Sequence, residues 1–255
     1  MFTSYDNSSL AKIITLLKSH ESEYLSGEDI SESLKLSRAA VWKHIKRLQS
    51  LGYKIDSKQK LGYRLLKITD LLLPWEISDG LKTKLFGKRI YYFDTIDSTQ
   101  NFAIELGSKT QENGSVVVAC KQTHGRGRLS RKWVSPSGGI WLSLVLHPGF
   151  EISAATLFPV ISSLALAISI EKVLKIKPKL KWPNDLTLNG KKIAGMLVDA
   201  SVESGKIDYL VVGVGINFKI NPREVEKAIK GTENYYGVAT LVKKNDKTSP
   251  VKLVQ

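Results

Sequence analysis

The spacing of apolar residues changes along this chain, and the change constrains the fold more than any other feature. In residues 9–51 apolar side chains recur every three or four positions, as on one face of a helix. Residues 53–56 and 63–66 alternate instead, on either side of a basic turn (SKQKLG). From about residue 85 onward, strand-like and helix-like runs follow each other, including predicted strands at 116–122, 193–198 and 209–216 and predicted helices at 154–174 and 222–230. We therefore predict an α+β protein in which a small helical domain precedes a larger domain with a mixed sheet.

The first 66 residues combine three helical segments with the basic hairpin. Ser37 and Gly52 bracket the third helix as an N-cap and a C-terminal stop signal. The apolar stripe of this helix faces inward, and the hairpin follows directly. Three helices and a two-stranded wing make a winged helix-turn-helix, whose third helix enters the major groove of DNA. The sequence therefore predicts a DNA-binding domain.

Basic residues are concentrated where such a domain would meet DNA. The chain carries a formal net charge of +14, and residues 31–64 hold nine Lys and Arg against Glu32 and Asp56. The predicted DNA contacts are Ser37, Arg38, Lys43, Lys46, Arg47, Lys58 and Lys60. The first two lie where base edges are read, and the lysines mainly hold phosphates. A protein-contacting winged helix or a solvated basic face is the alternative, and the role of Trp42 is left open.

Residues Gly125–Trp133 (GRGRLSRKW) are an unusual segment of the larger domain. Their glycines allow the backbone to approach a ligand closely. Arg126, Arg128 and Arg131 can make forked bonds to carboxylate and phosphate oxygens. Trp133 can present its ring to a base. We predict a loop that binds an anionic small molecule, although taken alone a disordered basic loop or a nucleic-acid contact fits equally well.

A second run, Lys181–Asp185 (KWPND), favours the small-molecule interpretation. Trp-Pro favours an extended backbone, and Asn-Asp is a turn signal. A carboxylate in such a turn suits Mg²⁺ or a ribose hydroxyl, and Lys192 on the next strand suits a phosphate. The chain has no Walker-type loop, and Gly213–Phe218 lacks the third glycine of a dinucleotide fingerprint. An ordinary turn and a solvated edge are plausible for each residue singly, and much less so in combination.

Composition excludes several classes of protein. One cysteine, Cys120, rules out an internal disulfide framework, and its apolar setting predicts a buried, inert thiol. The four histidines do not cluster with it at zinc spacing. We find no apolar run that approaches the ~20 residues of a membrane span and no signal-peptide character in the first nine residues. We expect a cytoplasmic protein without membrane attachment.

The motifs occur in the order found in biotin protein ligases, and by this resemblance the chain is identified as a member of that family. The shared pattern comprises Asp97–Gln100, Gln122, Gly125–Trp133, Lys181–Asp185, Lys192–Gly195 and Gly213–Asn217. The run SRAAVWKHI of the third helix likewise resembles the recognition helix of biotin-operon repressors. The resemblance implies a winged helix-turn-helix (residues 1–66), a linker (67–84) and a class II synthetase-like mixed-sheet catalytic domain (85–255) that is C-terminally incomplete.

The family implies a two-step reaction that uses ATP, biotin and Mg²⁺. The carboxylate of biotin attacks the α-phosphate of ATP and gives biotinyl-5′-AMP, and a lysine of a biotin carboxyl carrier protein then takes the biotinyl group. The resemblance also implies biotin-responsive repression on operator DNA, by a homodimer that forms when biotinyl-5′-AMP is bound. A regulator that senses biotin or its adenylate but ligates little is the alternative. A lipoate-type ligase is a third hypothesis, against which Lys181–Asp185 argues.

The resemblance also assigns roles to single residues. The catalytic candidates are Arg126, Arg128, Lys192, Lys181 and Asp185, the last also as the metal ligand. Ser98, Thr99 and Gln122 are expected to bind the ureido and carboxylate groups of biotin. Trp133 is expected to flank the adenine. The other candidate ligand-binding residues are Gln100, Gly125, Gly127, Asn184, Gly195, Gly215 and Asn217.

Two features depart from the family pattern. Ser130 stands where the family usually has glycine, which predicts a stiffer loop and an adenylate that forms more slowly or leaks. The family usually continues into another helix and a small SH3-like barrel, whereas this sequence ends at Gln255, where that helix should begin. The sequence is therefore either a fragment or a chain that lacks the barrel, which is thought to assist ATP and carrier binding.

Overall fold

The computed structural model describes residues 3–4, 9–21, 23–229 and 236–255 and divides the chain into two compact units. Within these residues, the smaller unit covers the chain up to Leu71, and the larger covers Leu72 onward together with β1 (Thr3–Ser4). The stretch predicted as a linker, residues 67–84, is mostly part of the larger unit. The reason is a short helix at Pro74–Ser78, whose apolar side chains are buried in the larger unit.

The smaller unit is a three-helix bundle with a two-stranded wing, as predicted. Its elements are α1 (Ser9–Ser19), α2 (Gly27–Leu34), α3 (Arg38–Ser50), β2 (Lys54–Lys58) and β3 (Gly62–Lys67). Ser26 and Asp29 form a reciprocal capping box at the start of α2. Ser37 caps α3 by accepting from the N–H of Ala40, and Gly52 beyond its end has a φ of +88° that favours glycine.

The core of the smaller unit is formed by one apolar stripe from each helix. The stripe predicted for α3 is buried along its whole length. The core residues are Ile13, Ile14, Leu17, Ile30, Val41, Ile45, Leu48 and Leu51. The opposite face of α3 is left exposed and carries the basic residues.

The larger unit is built on an eight-stranded mixed sheet in the order β1-β4-β5-β6-β10-β9-β8-β7, counted over the part of the chain that the structure describes. Only β4 and β5 pair in parallel; the other pairs there are antiparallel. The elements are α4 (Pro74–Ser78), β4 (Ile90–Ile96), α5 (Thr99–Lys109), β5 (Val116–Gln122), β6 (Ile140–Leu146), α6 (Phe158–Leu174), β7 (Lys179–Lys181), β8 (Asp185–Leu188), β9 (Lys191–Glu203), β10 (Lys206–Ile216), α7 (Pro222–Ile229) and α8 (Val251–Val254). The fold predicted from the sequence is confirmed.

The sheet carries helices on both faces, and β5 shows why. Val116 and Val118 pack into the cluster that also contains residues of α4, α6 and α8, whereas Val117 and Ala119 pack against α5. A strand buried on both faces is apolar at consecutive positions. The run Val116–Ala119 meets that requirement.

Two details differ from the predictions for this unit. The helix predicted from Ala154 begins at Phe158, after a 3-10 segment at Ile152–Leu157, and the predicted last residue of α7, Lys230, lies outside the described residues. The prediction that no apolar run approaches the length of a membrane span was also wrong. By length and composition alone, Ile152–Leu174 is long and apolar enough to cross a membrane. In this structure α6 is a surface helix that buries only Ser163 and Ile170 against its unit.

Candidate active site and DNA-binding face

One cavity of about 710 Å³ opens in the larger unit at the ends of the central strands, and its volume suits a small-molecule ligand. The N-terminus of α5, the turn between β7 and β8, and the ends of β9 and β10 form its walls. The segment Gly125–Trp133, hereafter the arginine loop, completes it. All predicted ligand-binding and catalytic residues line this cavity except Gly125. The fold thus brings together segments that are far apart in the sequence.

One end of the cavity, hereafter the uncharged end, is lined by neutral polar side chains, and its nearest charges are the paired Arg126 and Asp199. The N–H of Thr99 donates to Oε1 of Gln122 (2.7 Å), and Nε2 of Gln122 donates to Oγ of Ser135 (2.8 Å). Ser98 is the N-cap residue of α5, but its hydroxyl makes no capping bond and is buried without a partner among the described residues. A buried hydroxyl without a partner is unfavourable, so this end suits a ligand that offers hydrogen-bonding groups.

Gln100 forms the wall beside this end and is held on both sides of its amide. Its Nε2 donates to Oδ2 of Asp199 (2.9 Å) and to the carbonyl of Val211 (3.3 Å). Its Oε1 accepts from Oγ of Ser143 (3.0 Å). A Cβ at Gly213 would collide with Oε1 of Gln100, which explains the glycine. Because both N–H groups are taken by the protein, Gln100 shapes the wall and has no donor left for a ligand.

The arginine loop folds as a narrow hairpin. The N–H of Gly127 donates to the carbonyl of Arg131 (2.8 Å), and the N–H of Trp133 donates to the carbonyl of Gly125 (2.8 Å). A Cβ at Gly125 would lie 2.7 Å from Oγ of Ser135 and closer still to the carbonyl of Trp133. Gly125 therefore lets the two ends of the loop approach each other, and it does not itself line the cavity.

The tip of the loop has an unfavourable backbone conformation. Leu129 and Ser130 have φ values of +55° and +58°, and Leu129 is 82% exposed. The left-handed region costs a non-glycine residue about 1–2 kcal/mol. The departure from glycine at Ser130 thus falls at a position where glycine is favoured. It makes this closed tip harder to form.

Arg126 and Arg128 point to different ends of the cavity. The guanidinium of Arg126 donates to Oδ1 of Asn101 (3.1 Å) and lies 3.7 Å from Oδ2 of Asp199, near the uncharged end. Arg128 donates to Oδ1 of Asn184 (3.0 Å) in the turn before β8. Arg126 therefore contacts residues beside the uncharged end, whereas Arg128 contacts the turn that precedes β8.

The opposite end of the cavity is cationic and is organised around Asp185. Lys192 and the hydroxyl of Tyr236 both donate to Oδ2 of Asp185, at 2.7 and 2.6 Å. The other oxygen, Oδ1, is buried without a partner among the described residues. Burial lowers the pKa of Lys192 although Asp185 opposes the shift, and burial raises the pKa of Tyr236 with help from its bond to Asp185. Lys181 also faces this end, with its Nζ 3.1 Å from the centre of the Tyr236 ring.

Trp133 lies between the two ends of the cavity. Its ring occupies the space that side chains at Gly195 and Gly215 would need. A Cβ at Gly195 or Gly215 would lie 3.0 or 2.6 Å from the Trp133 ring. The ring is backed edge-to-face by Trp141 at 6.4 Å, and Nζ of Lys192 lies 4.9 Å from its centre. Gly195 and Gly215 were predicted to bind the ligand. The structure shows that their missing side chains make room for Trp133.

Asn184 and Asn217 fasten the backbone of β9. Asn184 donates to the carbonyl of Met196 (2.7 Å), and the buried Asn217 donates to the carbonyl of Lys192 (3.2 Å). Both had been predicted as ligand-binding residues. Their amide nitrogens hold the strand that carries Lys192.

Four residues of the site were missed by sequence reasoning: Asn101, Ser143, Asp199 and Tyr236. A signal existed for Asp199, which follows the apolar run IAGMLV of β9 and is therefore a carboxylate in a mostly apolar strand. No motif surrounds Tyr236. Its place at Asp185 depends on a contact across 51 residues.

Neither a metal cluster nor a reactive cysteine stands out. No group of three or more His, Cys, Asp or Glu able to hold a metal ion occurs within residues 9–21, 23–229 and 236–255. Cys120, which was predicted to be buried, is only partly buried. Burial nevertheless raises the pKa of its thiol, so the thiol is less reactive than an ordinary one.

The smaller unit presents the predicted basic residues on its surface. Arg38, Trp42 and Lys46 of α3 line a groove whose other wall is the wing, including Lys58 and Lys60. Lys43 and Arg47 are exposed on the outer side of the same helix. Basic residues of both α3 and the wing therefore border the groove.

Details of this groove refine the predicted contacts. The hydroxyl of Ser37 accepts from the N–H of Ala40, so it fixes the start of α3. Arg38 pairs with Glu28 at 2.5 Å, but both side chains are exposed and such pairs contribute little. Trp42, whose role the sequence left open, is 53% exposed beside Lys46. It is therefore available for contact with a ligand of the groove.

Two family models match this chain. Residues 92–217 match the model of the Biotin/lipoate A/B protein ligase family, and residues 9–64 match an HTH domain. One match falls in each unit. The boundary between the matches agrees with the division of the structure.

Similar proteins include two named "Bifunctional ligase/repressor BirA". The one from Bacillus subtilis is 39% identical over 86% of this chain and 67% of its own length, and the one from Escherichia coli is 33% identical over 88% and 67%. A biotin protein ligase from Aquifex aeolicus, solved in complex with biotin and ATP, is similar with a TM-score of 0.51 and 30% identity over 66% of this chain and 67% of that one. This chain thus spans about two thirds of the length of these proteins. It belongs to the biotin/lipoate A/B protein ligase family, with an HTH domain at its N-terminus.

Proposed function

We propose that this chain is a bifunctional biotin protein ligase and transcriptional repressor. It would form biotinyl-5′-AMP from biotin and ATP and transfer biotin to a lysine of a biotin carboxyl carrier protein. The observation that carries the ligase proposal is the polarity of the cavity, which is uncharged at one end and cationic at the other. The similar structure from Aquifex aeolicus holds both biotin and ATP, which supports a cavity for two ligands.

The uncharged end suits biotin. The hydroxyl of Ser98 has no other partner among the described residues, and Thr99 and Gln122 lie beside it. A ureido group offers N–H donors and a carbonyl acceptor, which match hydroxyl and amide groups. Leu142 and Val214 add apolar surface for the ring and tail.

The first step joins two anions, and the cationic end offsets their repulsion. An oxygen of the biotin carboxylate attacks the α-phosphorus of ATP, the bond to the bridging oxygen breaks, and pyrophosphate leaves with that oxygen. Negative charge on the phosphoryl oxygens needs fixed cations. Arg128, Lys181 and Lys192 would supply them. Trp133 would offer the adenine an aromatic face.

Mg²⁺ fits the cationic end through Asp185. One oxygen of this carboxylate is held by Lys192 and Tyr236, and the other is buried without a partner among the described residues. Mg²⁺ is usually held by one or two carboxylates together with substrate phosphates, so one carboxylate oxygen is sufficient. When bound, the ion would neutralise phosphate charge.

The second step requires the adenylate to be kept from water. The amine of the carrier lysine attacks the acyl carbon, that carbon's bond to the phosphate oxygen breaks, and AMP leaves. Closure of a loop over a reactive mixed anhydride prevents its hydrolysis. We propose that the arginine loop provides this cover, because it lines the cavity and has an exposed tip at Leu129.

The repressor activity is proposed for the smaller unit. A dimer on a palindromic operator would place two copies of the basic groove on DNA, and the adenylate would favour that dimer. The outer face of α6 exposes Ile161, Leu164 and Ile168, and exposed apolar patches support self-association. A cytoplasmic location, where ATP and DNA are both available, fits the two activities.

Biotin-dependent exchange of pyrophosphate into ATP tests the ligase proposal. We expect exchange with biotin and none with lipoate. Exchange supported by lipoate would make the chain a lipoate-type ligase. Biotin binding without exchange would contradict the ligase proposal and leave a biotin-sensing regulator.

A matched pair of lysine variants tests the cationic end. Lys181 lines the cavity, whereas Lys177 is exposed and pairs with Glu171 at 3.3 Å. Lys181→Met should lower the exchange rate and Lys177→Met should leave it unchanged. Equal exchange rates in the two variants would mean that the phosphates of ATP do not bind beside Lys181.

A further inference from the structure

We propose that Asp199 is a positioning residue that ties the arginine loop to the uncharged end of the cavity. The proposal rests on the proposed ligase function only in naming that end as the biotin site. Asp199 lies on β9 and does not line the cavity itself. Its carboxylate acts through two neighbours that do, Gln100 and Arg126.

A single oxygen of Asp199 joins two segments. Its Oδ2 accepts from Nε2 of Gln100 at 2.9 Å and lies 3.7 Å from the guanidinium of Arg126. Gln100 belongs to the first turn of α5 and is 3% exposed, whereas Arg126 is the second residue of the arginine loop. The same carboxylate oxygen therefore connects a buried residue with the loop.

Gln100 makes the orientation of this carboxylate definite. The amide of Gln100 is fixed by Ser143 and by the carbonyl of Val211, and it packs on Gly213. Because the Gln100 amide is held rigidly, it holds the carboxylate of Asp199 in one orientation. The negative charge of Asp199 then lies at a fixed position beside the arginine loop. An acceptor that is already fixed loses less entropy when it binds an arginine.

Arg126 is thereby held from two sides. Asn101 on α5 accepts from its guanidinium at 3.1 Å, and Asp199 on β9 provides the opposite charge. Asn101 is itself oriented by donating to Oδ2 of Asp97 at 2.8 Å. This arrangement assigns Arg126 an anchoring role, which differs from the phosphate contact predicted for it.

The other end of the arginine loop is linked to Gln100 by a chain of hydrogen bonds. Oγ of Ser143 lies 3.0 Å from both Oε1 of Gln100 and Oγ1 of Thr99, and Thr99 donates to Gln122. Gln122 in turn donates to Oγ of Ser135, just beyond the loop. Hydrogen bonds in such a chain polarise and orient one another. A ligand that orders Thr99 and Gln122 would therefore also order the loop at both of its ends.

The expected effect is local and modest. The side chains of Arg126 and Asp199 are 41% and 32% exposed, and solvent weakens an ion pair at that exposure. We expect the loss of the pair to speed opening of the loop roughly two- to fivefold, without a measurable effect on global unfolding. The loop itself must therefore be observed.

Hydrogen exchange of residues 125–133, measured by mass spectrometry on the full chain, tests the proposal. Asp199→Asn and Arg126→Gln should each speed exchange in this segment, and the double variant should exchange no faster than the faster single variant, since each change already removes the pair between Arg126 and Asp199. Asp208→Asn removes a carboxylate from the neighbouring strand β10 and is the matched control. Additive effects in the double variant, or equal exchange in the Asp199 and Asp208 variants, would overturn the proposal.

Biotin provides a second measurement. Biotin should slow exchange in the loop of the unaltered chain, and this protection should shrink in Asp199→Asn and return in Asp199→Glu. A chain that binds no biotin would refute the ligase proposal, whereas the comparison of ligand-free variants would still decide the role of Asp199. Full protection by biotin in Asp199→Asn would show that the loop is not coupled through this carboxylate.

Discussion

Gly215 and Gly213 of β10 make room for different side chains, so a methyl group at each should weaken the binding of a different ligand. A Cβ at Gly215 would lie 2.6 Å from Nε1 and Cε2 of Trp133. A Cβ at Gly213 would collide with the amide oxygen of Gln100. Trp133 is assigned to the nucleotide and Gln100 to the wall of the biotin end. The two alanine variants are therefore each other's controls.

The size of the effect follows from the distances. Non-bonded heavy atoms pack at about 3.5–4.0 Å, so Gly215→Ala must move the Trp133 ring by about 1 Å. Trp141 stands behind that ring at 6.4 Å and limits its retreat. Overpacking of this kind costs about 1–3 kcal/mol. ATP binding must supply this free energy if the ring returns to its original place to contact the adenine, and every 1.4 kcal/mol is tenfold in affinity. We expect ATP affinity to fall about 5- to 150-fold and biotin affinity to change by less than about twofold.

Titration calorimetry with each ligand separately measures both effects. Gly213→Ala should show the opposite pattern, with biotin binding weakened and ATP binding nearly unchanged. Circular dichroism of each variant establishes that it is folded. Unchanged ATP affinity in folded Gly215→Ala would refute the placement of the adenine at Trp133. Equal losses of both ligands in both variants would refute the division of the cavity into two ends.

Four further variants or conditions test single residues. Arg128→Gly should speed release of the adenylate about tenfold or more, because a charged hydrogen bond contributes about 1.5–3 kcal/mol; unchanged retention would remove Arg128 from the site. Ser130→Gly should relieve about 1–2 kcal/mol of left-handed strain and speed adenylate formation, and an unchanged rate would show that the tip is not limiting. Lys43→Ala should weaken DNA binding and reduce its salt slope by about 1, whereas an unaltered slope would mean that Lys43 does not touch phosphate. ATP affinity should fall with rising pH below the ordinary lysine pKa of about 10.4, since burial lowers the pKa of Lys192 and the neutral amine cannot attract phosphate; Lys192→Arg should abolish that fall.

Much of the fold could be predicted because its signals are local. The bounds of β5 were predicted at Val116 and Gln122, where the structure has them, because its apolar run is bounded by polar residues. The caps Ser26 and Ser37 marked helix starts through their own hydroxyls. The extension of β9 and β10 to Glu203 and Lys206 was missed, since polar residues there follow no alternation and depend on pairing between the two strands.

The site shows the same division between local and long-range information. Sequence motifs identified which residues meet at the cavity, since each motif carries its own chemistry. They did not show which of those residues face a ligand and which face one another. Gly195 and Gly215 look like places of close ligand approach, but the group that approaches them is the ring of Trp133, whose position is fixed by contacts across the sheet. That information is absent from any single segment.

The pairing of charges in the cavity separates its cations into two groups. Lys192 is bonded to Asp185 and Arg126 lies beside Asp199, so each of these cations is largely balanced by a carboxylate. Arg128 is held by the neutral amide of Asn184, and Lys181 by the ring of Tyr236. A neutral partner orients a cation without cancelling its charge. Arg128 and Lys181 would therefore present the larger net field to a bound phosphate, whereas the charge of Lys192 is partly cancelled by its bond to Asp185.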